Sequence, residues 1–169
     1  MTPDLFWIPG PWAGRLAISN RPRGGDWLED EVRGWRDAHL DMIVSLLEDE
    51  EERQLGLGNE ARLTKESGMR FVSFQITDRG VPESARATWS VLGTIRSALE
   101  RGQNVAVHCR QGIGRSALIA AGALMNTGMD ADSAMKIVGA ARGLSVPETP
   151  EQREWVRRVL AGHATPASL

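Results

Sequence analysis

Between Asn104 and Ser116 the chain reads NVAVHCRQGIGRS: an apolar run, the only cysteine, a loop with two glycines, and an Arg-Ser pair opening the apolar stretch ALIAAGALM. The first four apolar or small residues suit a buried strand, and the stretch from Arg115 to Asn126 suits a helix. A buried strand feeding a helix through a tight loop is the unit of an α/β sheet with parallel strands, so this segment constrains the fold more than any other.

The rest of the chain has the same rhythm. LFWI and RLAIS flank PGPWAG and read as a hairpin or edge pair. DWLEDEVRGWRDAH places Leu28, Val32 and Trp35 on one helical face, and MIVSLL reads as a buried strand. The acidic run EDEEER reads as a solvated helix start, NEARLTKES as a helix ending at Gly68, and RFVSFQI as a strand stopping at the loop TDRGVP. A long helix is expected from Pro82 to Arg101, then Asp130–Ala141, then Pro150–Ala161 with Thr149 as its cap. The expected architecture is α/β and three-layered, a mainly parallel sheet of about five strands flanked by helices. It forms one domain over residues 1–169, with a frayed tail from about 163.

Net charge and hydropathy restrict the partners. A formal charge of −2 and a pI near 5.9 give no global attraction to nucleic acid or anionic membrane. No apolar run approaches the ~20 residues of a membrane span, and the N-terminus lacks signal-peptide character, so a cytoplasmic protein is expected. One cysteine excludes an internal disulfide and a Cys-rich zinc site. No metal or cofactor is expected.

The cysteine loop is an anion cradle. Gly112 and Gly114 let backbone N–H groups turn inward, the helix beginning at Arg115 aims its positive end at the same point, and the Arg115 guanidinium can grip two oxygens. Cys109 at its base is either a buried hydrophobe or a thiol whose pKa these dipoles lower from ~8.5 into the ~3.5–7.5 range. His108 points to the opposite strand face and is expected to order the loop rather than act as a base. Ser116 can donate to the sulfur as it leaves. Arg110, Gln111 and Ile113 form the rim. Asp78, in the Gly/Pro loop after a strand, is either a proton donor on a loop that closes over the cradle, or a residue that forms an Asx-turn or caps the next helix. Arg79 is a solvated loop arginine, or adds positive potential at the mouth.

HCRQGIGRS resembles the His-Cys-five-residues-Arg-Ser/Thr signature of the cysteine-dependent protein phosphatases. GDWLEDEV, VSLLEDEE, LGL and FQITDRGVP, in that order, extend the likeness to the dual-specificity branch containing kinase-associated phosphatase and its bacterial relatives, over roughly Pro22 to Arg158. The resemblance implies the protein tyrosine phosphatase-like fold and hydrolysis of phosphomonoesters through a phosphocysteine. Cys109 would be nucleophile, Arg115 the phosphate clamp and Asp78 the acid and later the base, while Gln152 would help place the attacking water. It implies a phosphoprotein or phosphopeptide partner bearing phosphotyrosine, with phosphoserine and phosphothreonine as a broader class. The absence of tyrosine removes a residue that larger tyrosine-specific relatives use to gauge pocket depth. The alternatives are a phosphatase of lipid, sugar or nucleotide phosphates, and a non-catalytic phosphoprotein-binding module on the same fold. Lipid-directed relatives often carry lysines inside the loop, and RQGIG has none.

Overall fold

The computed structural model describes residues 2–163, so the expected tail lies, past its first residue, outside the described residues. Five strands and seven α-helices follow in the order β1 (Leu5–Ile8), β2 (Leu16–Ser19), α1 (Leu28–Asp37), β3 (Met42–Ser45), α2 (Asp49–Gln54), α3 (Glu60–Glu66), β4 (Arg70–Ser73), α4 (Ala85–Glu100), β5 (Val105–His108), α5 (Arg115–Met125), α6 (Ala131–Arg142) and α7 (Pro150–Glu154).

The sheet runs β1-β2-β5-β3-β4. β1 and β2 form the expected antiparallel hairpin, and every other pairing is parallel. β5 lies at the centre, with Ser19 of β2 and Ser45 of β3 in register on either side of His108. The loops leaving β5, β3 and β4 therefore emerge at the same edge, where open parallel sheets hold ligands.

Strand alternation divides the core. Val105, Val107 and Cys109 face the layer of α4, α5 and α6, whereas Ala106 packs with Trp35 of α1 and Leu57. All of α5 is buried. Each large side chain it removes from water, such as Leu118 or Leu124, contributes about 1.5–3 kcal/mol, which anchors the helix behind the cysteine loop.

Several features differ from the sequence reading, β4 among them, which ends at Ser73 rather than running on to Ile76. α4 starts at Ala85 because Ser84, extended, accepts the Ala87 N–H at 2.9 Å, leaving Pro82 in the preceding loop. The C-terminal helix is α-helical only to Glu154 and winds as a π-helix over Trp155–Leu160, with Trp89 Nε1–H donating to the Leu160 carbonyl at 3.2 Å. The acidic run is not simply a solvated face: Glu51 is buried.

Candidate active site

β5 delivers Cys109 to the sheet edge, and α5 begins six residues later. Between them Gly112 turns through φ +71°, a conformation costly for a side chain with a Cβ, and its N–H donates to Cys109 Sγ at 3.3 Å. The thiol is 3% exposed. Burial alone would push its pKa up, but the Ser116 hydroxyl and N–H, the Arg115 charge and the Gly112 N–H together outweigh it and hold the pKa below the ordinary thiol value. Ser116 Oγ is buried with no hydrogen bond of full geometry in this structure.

Arg115, 1% exposed, is fixed on nearly every side. Its Nη1 donates to Glu51 Oε1 at 2.7 Å and to the Ile76 carbonyl at 2.8 Å, and its Nη2 donates to Glu51 Oε2 at 2.9 Å and Asp78 Oδ1 at 3.1 Å. Glu51 reaches it because Glu48 and Glu51 form a capping box at the start of α2, the Glu48 N–H donating to Glu51 Oε1 at 3.1 Å. Desolvation would raise the Glu51 pKa, yet the bonds from Arg115 and Glu48 bring it below the ordinary carboxylate value. The bidentate pair sets the plane of the guanidinium.

A cleft of about 210 Å³ opens above the sulfur, lined by Asp78, Arg79, Cys109, Arg110, Gln111, Ile113, Gly114, Arg115 and Glu148. Arg110 is half exposed, its Nη1 3.8 Å from Glu51 Oε2. Arg79 adopts φ +61° and its Nη1 donates to Glu148 Oε1 at 2.6 Å, so it is neither free nor merely solvated. Gln152 lies outside the lining and is fully buried. Its Nε2 donates to the Gly80 carbonyl at 2.9 Å and its Oε1 accepts the Thr149 N–H at 3.1 Å, so both ends of the amide brace the Asp78 loop and the α7 cap. A Cβ on Gly114 would stand 3.1 Å from this amide, which accounts for a glycine at the α5 N-cap.

The cysteine, the buried arginine and the acid loop thus converge on one small polar cleft. The catalytic-domain profile of the dual specificity phosphatases matches residues 37–157. The chain belongs to the dual specificity phosphatase family. Its fold is similar to that of kinase associated phosphatase with the catalytic-site cysteine substituted by serine, with a TM-score of 0.85 and 17% identity, covering 97% of this chain and 99% of that one. It is also similar to Tk-PTP in the active form, with a TM-score of 0.76 and 26% identity over 95% of this chain and 99% of that one. PTPMT1 in complex with PI(5)P gives a TM-score of 0.73 and 20% identity over 87% and 90% of the two chains. No curated protein sequence matches the chain. Among the described residues no helix is long and apolar enough to cross a membrane.

Within this phosphatase fold, three contributors to the site escaped the sequence reading. Glu51 was hidden in an acidic run; the E-x-x-E spacing of a capping box was the available signal. Arg142, near the end of α6, lies over the Phe6 ring at 3.9 Å and donates through Nε to the Gly112 carbonyl at 2.9 Å, pinning the loop from outside. Glu60, from the first turn of α3, meets His108 on the far side of the sheet from the cleft, its Oε1 2.5 Å from Nε2. His108 Nδ1 faces the Cys109 carbonyl at 3.4 Å.

Proposed function

We propose that this chain, as a single catalytic domain, hydrolyses phosphomonoesters through a phosphocysteine on Cys109, with protein phosphotyrosine as the leading substrate class and phosphoserine and phosphothreonine as the wider one. The observation that carries the reading is a buried thiol, met by the Gly112 N–H, at the floor of a cleft whose wall is an arginine immobilised by Glu51.

The substrate phosphate enters as an anion and competes with Asp78 for Arg115 Nη2, the one guanidinium contact made to a half-exposed carboxylate. Displaced, the half-exposed Asp78 carboxylate takes up a proton from solvent and carries it toward the leaving oxygen. Cys109 Sγ attacks phosphorus, the P–O bond to the leaving group breaks, and that oxygen takes the proton from Asp78. The N–H groups of the loop and Arg115 stabilise the equatorial oxygens as charge redistributes. Water then attacks phosphorus in the thiophosphate, losing a proton to the ionised Asp78, and the sulfur departs as a thiolate stabilised by Ser116. Inorganic phosphate leaves. The chemistry balances with these side chains and one water.

The rival substrate class is a phosphoinositide, since a similar fold is seen with PI(5)P in PTPMT1. The cleft favours a single phosphate: of its two rim arginines, Arg79 is committed to Glu148, and its loop side chains include no lysine.

Turnover of a generic aryl phosphate by the wild type, and its fall by at least a hundredfold in Cys109→Ser with phosphate binding retained, would establish the reaction. Retained turnover in that variant would remove Cys109 from the nucleophile role. A panel of phosphotyrosyl, phosphoseryl and phosphothreonyl peptides beside PI(5)P then assigns the class. A kcat/KM highest for the lipid would replace the protein reading.

A further inference from the structure

Three carboxylates of the acidic run after β3 reach the loop that carries Asp78 or the arginine that this loop touches. Glu48 Oε1 accepts the Thr77 hydroxyl at 3.0 Å, and Asp49 Oδ1 accepts Gln75 Nε2–H at 2.8 Å. Glu51 holds Arg115, whose Nη2 also donates to Asp78. Glu50 points elsewhere, to Arg53 at 2.8 Å. The side-chain contacts continue a backbone seam between the two loops. The Phe74 N–H donates to the Ser45 carbonyl at 2.9 Å and the Ile76 N–H to the Leu46 carbonyl at 3.1 Å, while the Ile76 carbonyl accepts Arg115 Nη1 at 2.8 Å.

Where the seam ends, a turn begins. The Thr77 carbonyl accepts the Gly80 N–H at 2.8 Å, which closes a four-residue turn with Asp78 at its first corner and Arg79, at φ +61°, at its second. Thr77 is therefore the residue that opens the acid's turn, and its side chain is tied to Glu48. Glu48 also forms the α2 capping box with Glu51, donating its own N–H to Glu51 Oε1 at 3.1 Å. Stability does not explain the Thr77 contact: Thr77 is exposed, and water offers its hydroxyl a partner nearly as good. The consequence of the contact is geometric, since a reacting group misplaced by about 1 Å can cost about a hundredfold in rate.

Resting on the assignment of Asp78 as the acid, we propose that Glu48 is a positioning residue for both the phosphate clamp and the proton donor. Through the α2 cap it holds Glu51 against Arg115, and through its carboxylate it holds Thr77 and so the turn that bears Asp78. One residue thereby fixes the separation between the group that binds the phosphate and the group that protonates the leaving oxygen.

The two branches are tested separately, by kcat/KM over aryl phosphates whose phenols leave with increasing difficulty and by calorimetric titration with inorganic phosphate. Thr77→Val should lower kcat/KM for phosphotyrosine by roughly three- to thirtyfold, with a smaller loss the more acidic the phenol, and should leave phosphate affinity unchanged. Thr77→Ser, which keeps the hydroxyl, should restore the wild-type series. In an Asp78→Asn background Thr77→Val should add no further loss, because the threonine acts through the acid. Glu48→Ala should reproduce the leaving-group dependence and also weaken phosphate binding by about three- to tenfold, as Glu51 loosens. The proposal is overturned by an unchanged series or an equal loss on every substrate in Thr77→Val, by a further loss in the double variant, or by undiminished phosphate affinity in Glu48→Ala. Should Glu48→Ala fail to fold, the Thr77 variants decide, since that side chain is exposed. Asp78→Asn alone keeps the underlying assignment apart: equal loss across leaving groups there removes Asp78 as the acid, whereas a leaving-group dependence in Asp78→Asn with none in Thr77→Val sinks only the role of Glu48.

Discussion

Glu51→Gln tests whether the buried carboxylate positions Arg115 or only neutralises it. In the wild type Glu51 accepts two charge-assisted bonds from the guanidinium, at 2.7 and 2.9 Å, and both partners are nearly inaccessible to water. Breaking a buried pair by removing one charge costs about 3–5 kcal/mol, because the other is left uncompensated. Arg115 keeps the Ile76 carbonyl at 2.8 Å and Asp78 at 3.1 Å, which argues for the lower end. At about 2–4 °C per kcal/mol for a chain of this size, Tm should fall by roughly 6–12 °C near pH 7. The Glu51 pKa is held below its ordinary 4.5 in the folded state, so its stabilisation is complete above that value and is lost as pH falls through the depressed folded pKa. The Tm gap between wild type and variant should therefore close on acidification. Function discriminates more sharply. If Glu51 positions the guanidinium, inorganic phosphate should bind about 10–100-fold more weakly, the worth of one to two charge-assisted bonds misaligned. If it only cancels charge, removing it should tighten phosphate binding. Calorimetric titration with phosphate at pH 7, beside thermal unfolding, separates the two; tighter binding with an unchanged Tm refutes the positioning argument.

Asp78→Asn should slow hydrolysis of phosphotyrosine and alkyl phosphates by about 10²–10⁴-fold while sparing activated aryl phosphates; equal loss across leaving groups in a kcat/KM series would make Asp78 a structural loop residue. Gly112→Ala should lose thiolate reactivity as well as stability, because Gly112 sits at φ +71° and the new methyl would meet Ile18 Cγ2 at 3.0 Å. A cost of about 1–2 kcal/mol is expected from the backbone alone, and iodoacetamide labelling at pH 6 that is as fast as in the wild type would contradict it.

The parts legible in the sequence are those whose physics is local. NVAVH followed by CRQGIGRS specifies strand, turn and helix because apolar run, glycine and helix start lie within thirteen residues, and the strand takes the central place its apolar character implies. Thr149 announced its cap for the same reason: the Gln152 N–H it accepts is three residues away. Glu51 and Glu60 were illegible because their meaning depends on residues 64 and 48 positions along the chain, Arg115 of α5 and His108 of β5, brought to them only by the fold. In sequence a carboxylate among carboxylates is a solvated face; in the fold, one member of the run is selected by the capping box that turns it inward. Asp78 lies between these cases. Its loop was readable from Gly80 and Pro82, but its present contact with Arg115 Nη2 was not, and that contact bears on mechanism. On the proposed mechanism Asp78 would protonate a leaving group only after the substrate phosphate has displaced it from Arg115, so the substrate's own charge would release the acid. The loop is braced for this by Gln152 on Gly80 and by Arg79 on Glu148, two contacts that leave Asp78 itself untouched.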